Sequence, residues 1–167
     1  MDWNQKYREH SPGIYQYLLN LCGNKQEAED LLQETFIKAM RSEKSLRDES
    51  KMRSWLMTIS RNLFLDNARK NSRWRAAGYG GDEDEFSMVP DNGVSPEHSA
   101  ESADFMTSMQ AALKTLVESH RTAFVLGVIQ RLSYQEIENI TGWSTAMVKT
   151  NIFRARKKMA EALAEYR

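Results

Sequence analysis

Apolar residues recur along this chain at the three- and four-residue spacing of helices, and no stretch alternates as a half-buried strand would. Tyr7, Ile14, Tyr15, Leu18 and Leu21 define a first helix that Gly23 is expected to stop, with Pro12 expected to break or kink it early. Asn24, followed three residues later by Glu27, has the reciprocal capping pattern of a helix start. The helix it opens is predicted to turn Leu31, Leu32, Phe36, Ile37 and Met40 inward and Asp30, Gln33, Glu34, Lys38 and Arg41 largely outward. After the polar stretch SEKSLRDES (42–50), a third helix is predicted from about Lys51, with Met52, Trp55, Leu56, Ile59 and Leu63 on one face and a basic far end.

Residues 76–104 interrupt this regularity. They hold four of the eight glycines, two of the three prolines and no basic residue, and they contain few large apolar side chains. Such a segment cannot bury enough surface to offset its ordering entropy, so it is read as a flexible acidic linker between modules at 1–75 and 105–167. The second module opens with Phe105, Met109, Leu113 and Leu116 on one amphipathic helix and Phe124, Val125, Val128 and Ile129 on another. Ser133 with Glu136 then forms a capping box, Gly142 supplies a tight turn, and Ser144 caps the last helix. Two helices joined by so short a turn make a helix-turn-helix, whose second helix suits the DNA major groove. The fold class expected is all-α, as two small helical domains.

Charge sharpens this picture. Lys and Arg number 23, as do Asp and Glu, so the formal net charge is zero. The balance is a sum of segregated blocks: 7 basic against 9 acidic residues in 1–50, 7 against 1 in 51–75, 0 against 8 in 76–105, 3 against 3 in 106–142 and 6 against 2 in 143–167. A polyanion responds to potential within about a Debye length, so the basic blocks count for more than the total. The acidic run Asp82–Glu85 is complementary to both basic blocks, which makes a fold-back over them an expectation to set beside an inert solvated tether.

Several function classes fall away. One cysteine, Cys22, forms no internal disulfide and reads as a packed or idle thiol, and three scattered histidines lack metal-ligand spacing. No apolar run approaches the roughly 20 residues of a membrane-spanning helix, so a cytoplasmic protein is expected. Paired carboxylates with a histidine, a glycine-rich phosphate loop and a reactive-cysteine context are all missing, so neither an enzyme nor a cofactor is indicated.

The last helix carries the strongest chemistry. Val148, Ile152, Ala155, Met159 and Leu163 form an apolar face that must pack on its own module, which leaves Lys149, Thr150, Phe153, Arg154 and Lys157 outward. Lys and Arg attract phosphate and can donate two hydrogen bonds to guanine, while Thr150 and Phe153 can bond a base or touch a thymine methyl. A charge run alone is usually a solvated surface; the capped turn and Gly142 favour DNA binding here.

Three stretches, AEDLLQETFIKAM (28–40), RSWLMTISRNLFLDNAR (53–69) and YQEIENITGWSTAMVKTNIFRAR (134–156), resemble the extracytoplasmic-function sigma factors, the smallest branch of the bacterial sigma-70 family. The resemblance implies a region 2 bundle that binds core RNA polymerase and the minus-ten promoter element, and a region 4 helix-turn-helix that reads the minus-thirty-five element. It implies that Asp30, Gln33, Glu34 and Phe36 dock on the coiled coil of the largest polymerase subunit, although Asp30 and Glu34 taken alone would be ordinary solvated acids. Ser45, Leu46, Arg47 and Asp48 match a loop that captures a flipped base, which read without the family is a simple connection. Asn62, Asp66, Arg69 and Lys70 match the stretch touching the upstream edge of the minus-ten duplex, with Asp66 orienting its basic neighbours. Trp55 is taken as core packing. Trp74, between Arg73 and Arg75, could stack on an unpaired base or contact the linker. The chain departs from the family in Glu138, where a small residue is usual, and Met147, where threonine is usual; the glutamate is expected to tilt outward and loosen or rotate the helix pair.

The partners implied are core polymerase and promoter DNA, with an anti-sigma factor as a further candidate and no membrane. A reading of another class is a stand-alone helix-turn-helix regulator with an N-terminal helical interaction domain, which would bind duplex DNA as a symmetric dimer.

Overall fold

The computed structural model describes the backbone of residues 1–76 and 100–164, and the side chains of 1–71 and 105–164. The chain divides into two compact units, Met1–Val89 and Pro90–Arg167. Nearly all of the segment expected to be a linker, the acidic run Asp82–Glu85 included, lies outside the described residues, as does the side chain of Trp74.

In the first unit α1 (Trp3–Cys22), α2 (Lys25–Arg41) and α3 (Met52–Ala76) all pack on one another. Gly23 ends α1 at φ 66°, donating its amide to the Leu19 carbonyl, and the Asn24 side chain accepts from the Glu27 amide to open α2. Of the break or kink expected at Pro12, the break does not occur: α1 runs through it. It and Gly13 are exposed, so the helix tolerates the missing amide at a place where nothing packs. The core is Ile14, Tyr17, Leu18, Leu21, Leu31, Phe36, Met52, Leu56 and Met57, with Leu32, Ile59 and Phe64 at its margin.

Two inward assignments on α2 fail. Ile37 and Met40 are 45% and 46% exposed, because the inward stripe is taken by Ala28, Thr35 and Ala39 between the larger Leu31 and Phe36. Small residues at the centre of the stripe let α1 and α3 approach closely, and Ile37 is left on the opposite side of the helix. Thr35 is buried without cost because its hydroxyl donates to the Leu31 carbonyl at 2.7 Å. Tyr7, also expected inside, is 42% exposed, yet its ring meets Phe36 edge to face at 4.8 Å. Trp55 and Leu63 are half-buried.

In the second unit α4 (Ala100–Thr115) begins five residues before Phe105, inside the expected linker, on an Ala- and acid-rich start that suits a helix N-terminus. α5 (Glu118–Phe124) runs into a π-helical turn (Val125–Ile129), then come α6 (Tyr134–Thr141) and α7 (Thr145–Ala162). Phe105 is 41% exposed and Val128 and Ile129 are half-buried, so the core rests on Leu113, Leu116, Val125, Leu126, Ile137 and Val148. At Gly127 the π turn comes so close to α7 that a Cβ would stand 2.8 Å from Ile152 Cδ1. Arg121 is structural: its guanidinium donates to the Leu113 and Leu116 carbonyls at 3.0 Å each, satisfying the C-terminal end of α4. No described helix is long and apolar enough to cross a membrane.

The opposite fates of neighbouring Phe36 and Ile37 are measurable. Phe36→Ala should lower unfolding free energy by about 3–5 kcal/mol, while Ile37→Ala should stay within about 0.5 kcal/mol, both read from urea denaturation of the full chain.

Candidate nucleic-acid and protein interfaces

The turn between α6 and α7 is built as its residues require. Ser133 accepts from the Glu136 amide and Glu136 returns a bond to the Ser133 amide, closing the capping box. Gly142 takes φ 79° and donates to the Glu138 carbonyl at 2.7 Å, a conformation an L side chain would strain. Thr141 Oγ1 accepts the Trp143 amide, and Ser144 accepts from Met147 at 3.2 Å. With the turn closed, α7 buries Val148, Ile152, Ala155 and Met159, and Lys149, Thr150, Phe153, Arg154 and Lys157 are all exposed. Phe153 is 70% exposed, the most exposed of the large apolar side chains described.

Glu138 tilts outward, as its departure from the family pattern led one to expect. Ile137, Ile140 and Val148 stay buried, and the carboxylate turns outward to accept the Thr145 hydroxyl at 2.6 Å. Met147 is 49% exposed on the same end of α7.

In the first unit Asn62, Asp66, Arg69 and Lys70 line one exposed stripe near the end of α3. Asp66 and Arg69 pair at 2.9 Å, and both are more than half exposed. An exposed pair of this kind adds little stability, but it fixes where the guanidinium points. Of the loop residues, Ser45, Arg47 and Asp48 are exposed and Leu46 is half-buried. The loop consists of two short 3-10 turns, Glu43–Ser45 and Glu49–Lys51. Ser45 donates to the Ser42 carbonyl at 2.7 Å, and Asp48 accepts both the amide and the hydroxyl of Ser50, bonds that hold its carboxyl below the usual carboxylate range. Ion pairs from the Met1 amino group to Glu43 and from Lys6 of α1 to Glu49 meet this loop at 3.6 and 3.9 Å.

Asp30, Gln33 and Glu34 are exposed along α2, as expected. Phe36 is not with them. It is 4% exposed and packed against Tyr7, so it supports the helix from beneath and cannot meet a partner. Ile37 and Met40, read from sequence as core, instead lengthen the exposed face with apolar surface. The signal was in the spacing: Ala28, Thr35 and Ala39 share one stripe with Leu31, Leu32 and Phe36 on its flanks, and Ile37 and Met40 fall off it. Beside Asp30 and Glu34, Asn67 and Asn71 of α3 complete an open groove of about 350 Å³, in whose lining the Asn67 amide donates to Glu27 at 3.0 Å.

The two units thus expose an acidic face with apolar residues on α2, a polar stripe ending in Arg69 and Lys70 on α3 and a helix-turn-helix with a basic edge. In sequence comparison, residues 7–74 match the family model of Sigma-70 region 2 and residues 106–159 that of Sigma-70, region 4. The chain is 35% identical over 164 residues to the ECF RNA polymerase sigma factor SigE of Mycolicibacterium smegmatis, covering 98% of this chain and 62% of that protein, so it spans less than two thirds of that relative. It is 32% identical over 160 residues to the ECF RNA polymerase sigma factor SigM of Bacillus subtilis, covering 95% of this chain and 93% of that one. Among solved structures, the sigma factor RpoE from Bartonella quintana, crystallised with the anti-sigma factor NepR, superposes with a TM-score of 0.75 at 26% identity, covering 98% of this chain and 97% of that one. The chain therefore belongs to the sigma-70 family, in its extracytoplasmic-function branch, and is a transcription-initiation factor, not an enzyme.

Beneath the basic edge lies a titratable group the sequence reading passed over. His120 is half-buried, with Nδ1 buried and without a hydrogen-bond partner among the described residues. Burial lowers its pKa below the ordinary 6.5, and Lys158 and Arg154 of α7 push it the same way. The unfolded chain thus takes up this proton more readily than the folded one, so the contribution is present above pH 6.5 and is lost as pH falls below it toward the folded value. Denaturation midpoints measured from about pH 7 down to pH 5 should fall further for the wild type than for His120→Gln; parallel curves would show that His120 is indifferent to folding.

Proposed function

We propose that this chain joins core RNA polymerase through the outer face of α2 and places it on a two-part promoter, with α3 and the Ser42–Ser50 loop at the minus-ten element and α7 at the minus-thirty-five element. The observation that carries this reading is the partition of exposed charge among helices: Asp30 and Glu34 on α2, Arg69 and Lys70 on α3, Lys149, Arg154 and Lys157 on α7. The sets on α2 and α7 lie opposite the buried stripe of their own helix, and Arg69 and Lys70 stand exposed in the far half of α3, so each set can meet a different partner. Asp30, Gln33 and Glu34 supply charge complementarity for a basic coiled coil of the largest subunit, and Ile37 and Met40 supply apolar area beside them.

On the DNA, Asn62 can make paired hydrogen bonds to a base, Lys70 and Arg69 hold phosphate, and Asp66 keeps Arg69 oriented. Ser45, Leu46, Arg47 and Asp48 offer polar edges and a half-buried apolar side chain to an unstacked base. Holding that base biases the strand-separated state, which is the only work a non-catalytic subunit can do toward opening. The chemistry of RNA synthesis belongs to polymerase, in the cytoplasm. A protein of the anti-sigma class is a fitting inhibitor, since the Bartonella relative is held by one.

The test is reconstitution. Asp30→Lys with Glu34→Lys should weaken binding to core polymerase by about tenfold or more and leave circular dichroism unchanged. Lys149→Ala and Arg154→Ala should spare core binding, weaken promoter binding by holoenzyme, and each lower the salt slope by about 1 if the lost contact was to phosphate. Tight binding of a palindromic duplex by the free chain as a dimer, with no affinity for core enzyme, would support the stand-alone regulator instead.

A further inference from the structure

Tyr134 and Glu138 stand one turn apart on α6, and Thr145 and Lys149 stand one turn apart on α7. The two helices touch through these residues as two rungs. Glu138 Oε1 accepts the Thr145 hydroxyl at 2.6 Å, and the Lys149 ammonium lies 5.9 Å from the centre of the Tyr134 ring, within reach of a cation–π attraction. Ile137 and Ile140 point the other way and are buried, so the rungs lie outside the core that holds the helix pair together. Tyr134 is 46% exposed, and burial does not explain where its ring is placed.

Both α7 partners sit in its first two turns, the part of a second helix that enters the groove. Lysine carries a long flexible stem, and fixing it on DNA costs conformational entropy unless it is already restrained. A hydroxyl that donates to a carboxylate has its proton committed and keeps both lone pairs as acceptors.

We propose that Tyr134 and Glu138 are positioning residues that hold Lys149 and Thr145 in their DNA-reading arrangement before DNA arrives. The inference rests on the reading of α7 as the base-contacting helix. Tyr134 acts through its ring, and Glu138 acts through its acceptor oxygen. The charge of Glu138 contributes differently: it repels phosphate on every duplex alike, so it lowers sequence-independent affinity without favouring any base.

Holoenzyme reconstituted from the full chain and core polymerase would be allowed to select a duplex from a randomised pool, and dissociation constants would be measured for that duplex and a scrambled one. Tyr134→Ala should weaken binding to the selected duplex by about two- to fivefold, Tyr134→Phe should match wild type, and Tyr134→Ala should add nothing in a Lys149→Ala background. Glu138→Ala should lower the ratio of selected to scrambled affinity by about two- to fivefold, and Glu138→Gln, which keeps the acceptor, should restore the ratio while binding both duplexes at least as tightly as wild type. Thermal midpoints of all variants should stay close to that of the wild type.

Additive losses for Tyr134→Ala and Lys149→Ala, a Phe variant as weak as the Ala variant, a Gln variant as unselective as the Ala variant, or losses that track a lowered midpoint would each overturn the inference. Lys149→Ala that leaves the selected duplex bound as before would overturn the assignment of α7 itself.

Discussion

Each working helix of this protein is aimed by the stripe it buries. α7 commits Val148, Ile152, Ala155 and Met159 to its unit, and Gly127 lets the π turn approach Ile152 closely enough to lock that face in place. A helix offers only two sides, so Lys149, Phe153, Arg154 and Lys157 have no direction left but outward. The same holds for α2, where Ala28, Thr35 and Ala39 draw the helix tightly onto its neighbours and send Asp30, Glu34, Ile37 and Met40 to the surface. Burial of apolar area thus acts at a distance on charge, because it decides which charges water and partners can reach.

Turn and cap chemistry then set the angle at which α7 is offered. The Ser133–Glu136 box starts α6, Gly142 reverses the chain in a left-handed conformation, and Ser144 restarts the helix two residues later. None of these bonds is strong alone, each being about 0.5–2 kcal/mol. Together they leave few ways to connect α6 to α7, and the reading of base edges proposed for α7 needs that lack of choice more than it needs stability. The surface ion pairs play the opposite part. Asp66–Arg69 and Lys6–Glu49 add little energy in solvent, and their use is to orient a guanidinium or to tether a loop.

Much of this was legible beforehand. Helix existence, the stops at Gly23 and Gly142, the caps at Asn24, Ser133 and Ser144, and the outward edge of α7 all follow from residue type and spacing, because they depend on backbone chemistry within a few residues. The misreadings have a common origin. Pro12 forecast a break because a proline removes a helical bond wherever it stands, yet its cost depends on what surrounds that place. Ile37 and Met40 were assigned to the core because they are large and apolar, although Thr35 and the alanines beside them were the residues whose size fitted the gap. Phe36 was placed inward by its spacing but also assigned to a partner by resemblance, and packing against Tyr7 claims it for the interior.

The sequence alone determined two helical modules and the sign of charge each helix would carry, since composition, periodicity and capping are local properties written residue by residue; the family came from the resemblance of three stretches. Only the tertiary structure decided which apolar side chains of α2 were surplus to the core, that His120 would lie half-buried near Arg154 and Lys158, and that Tyr134 and Glu138 would reach across the turn to Lys149 and Thr145. Those outcomes depend on interhelical distances of a few ångströms, and such distances emerge when whole surfaces compete for the same space.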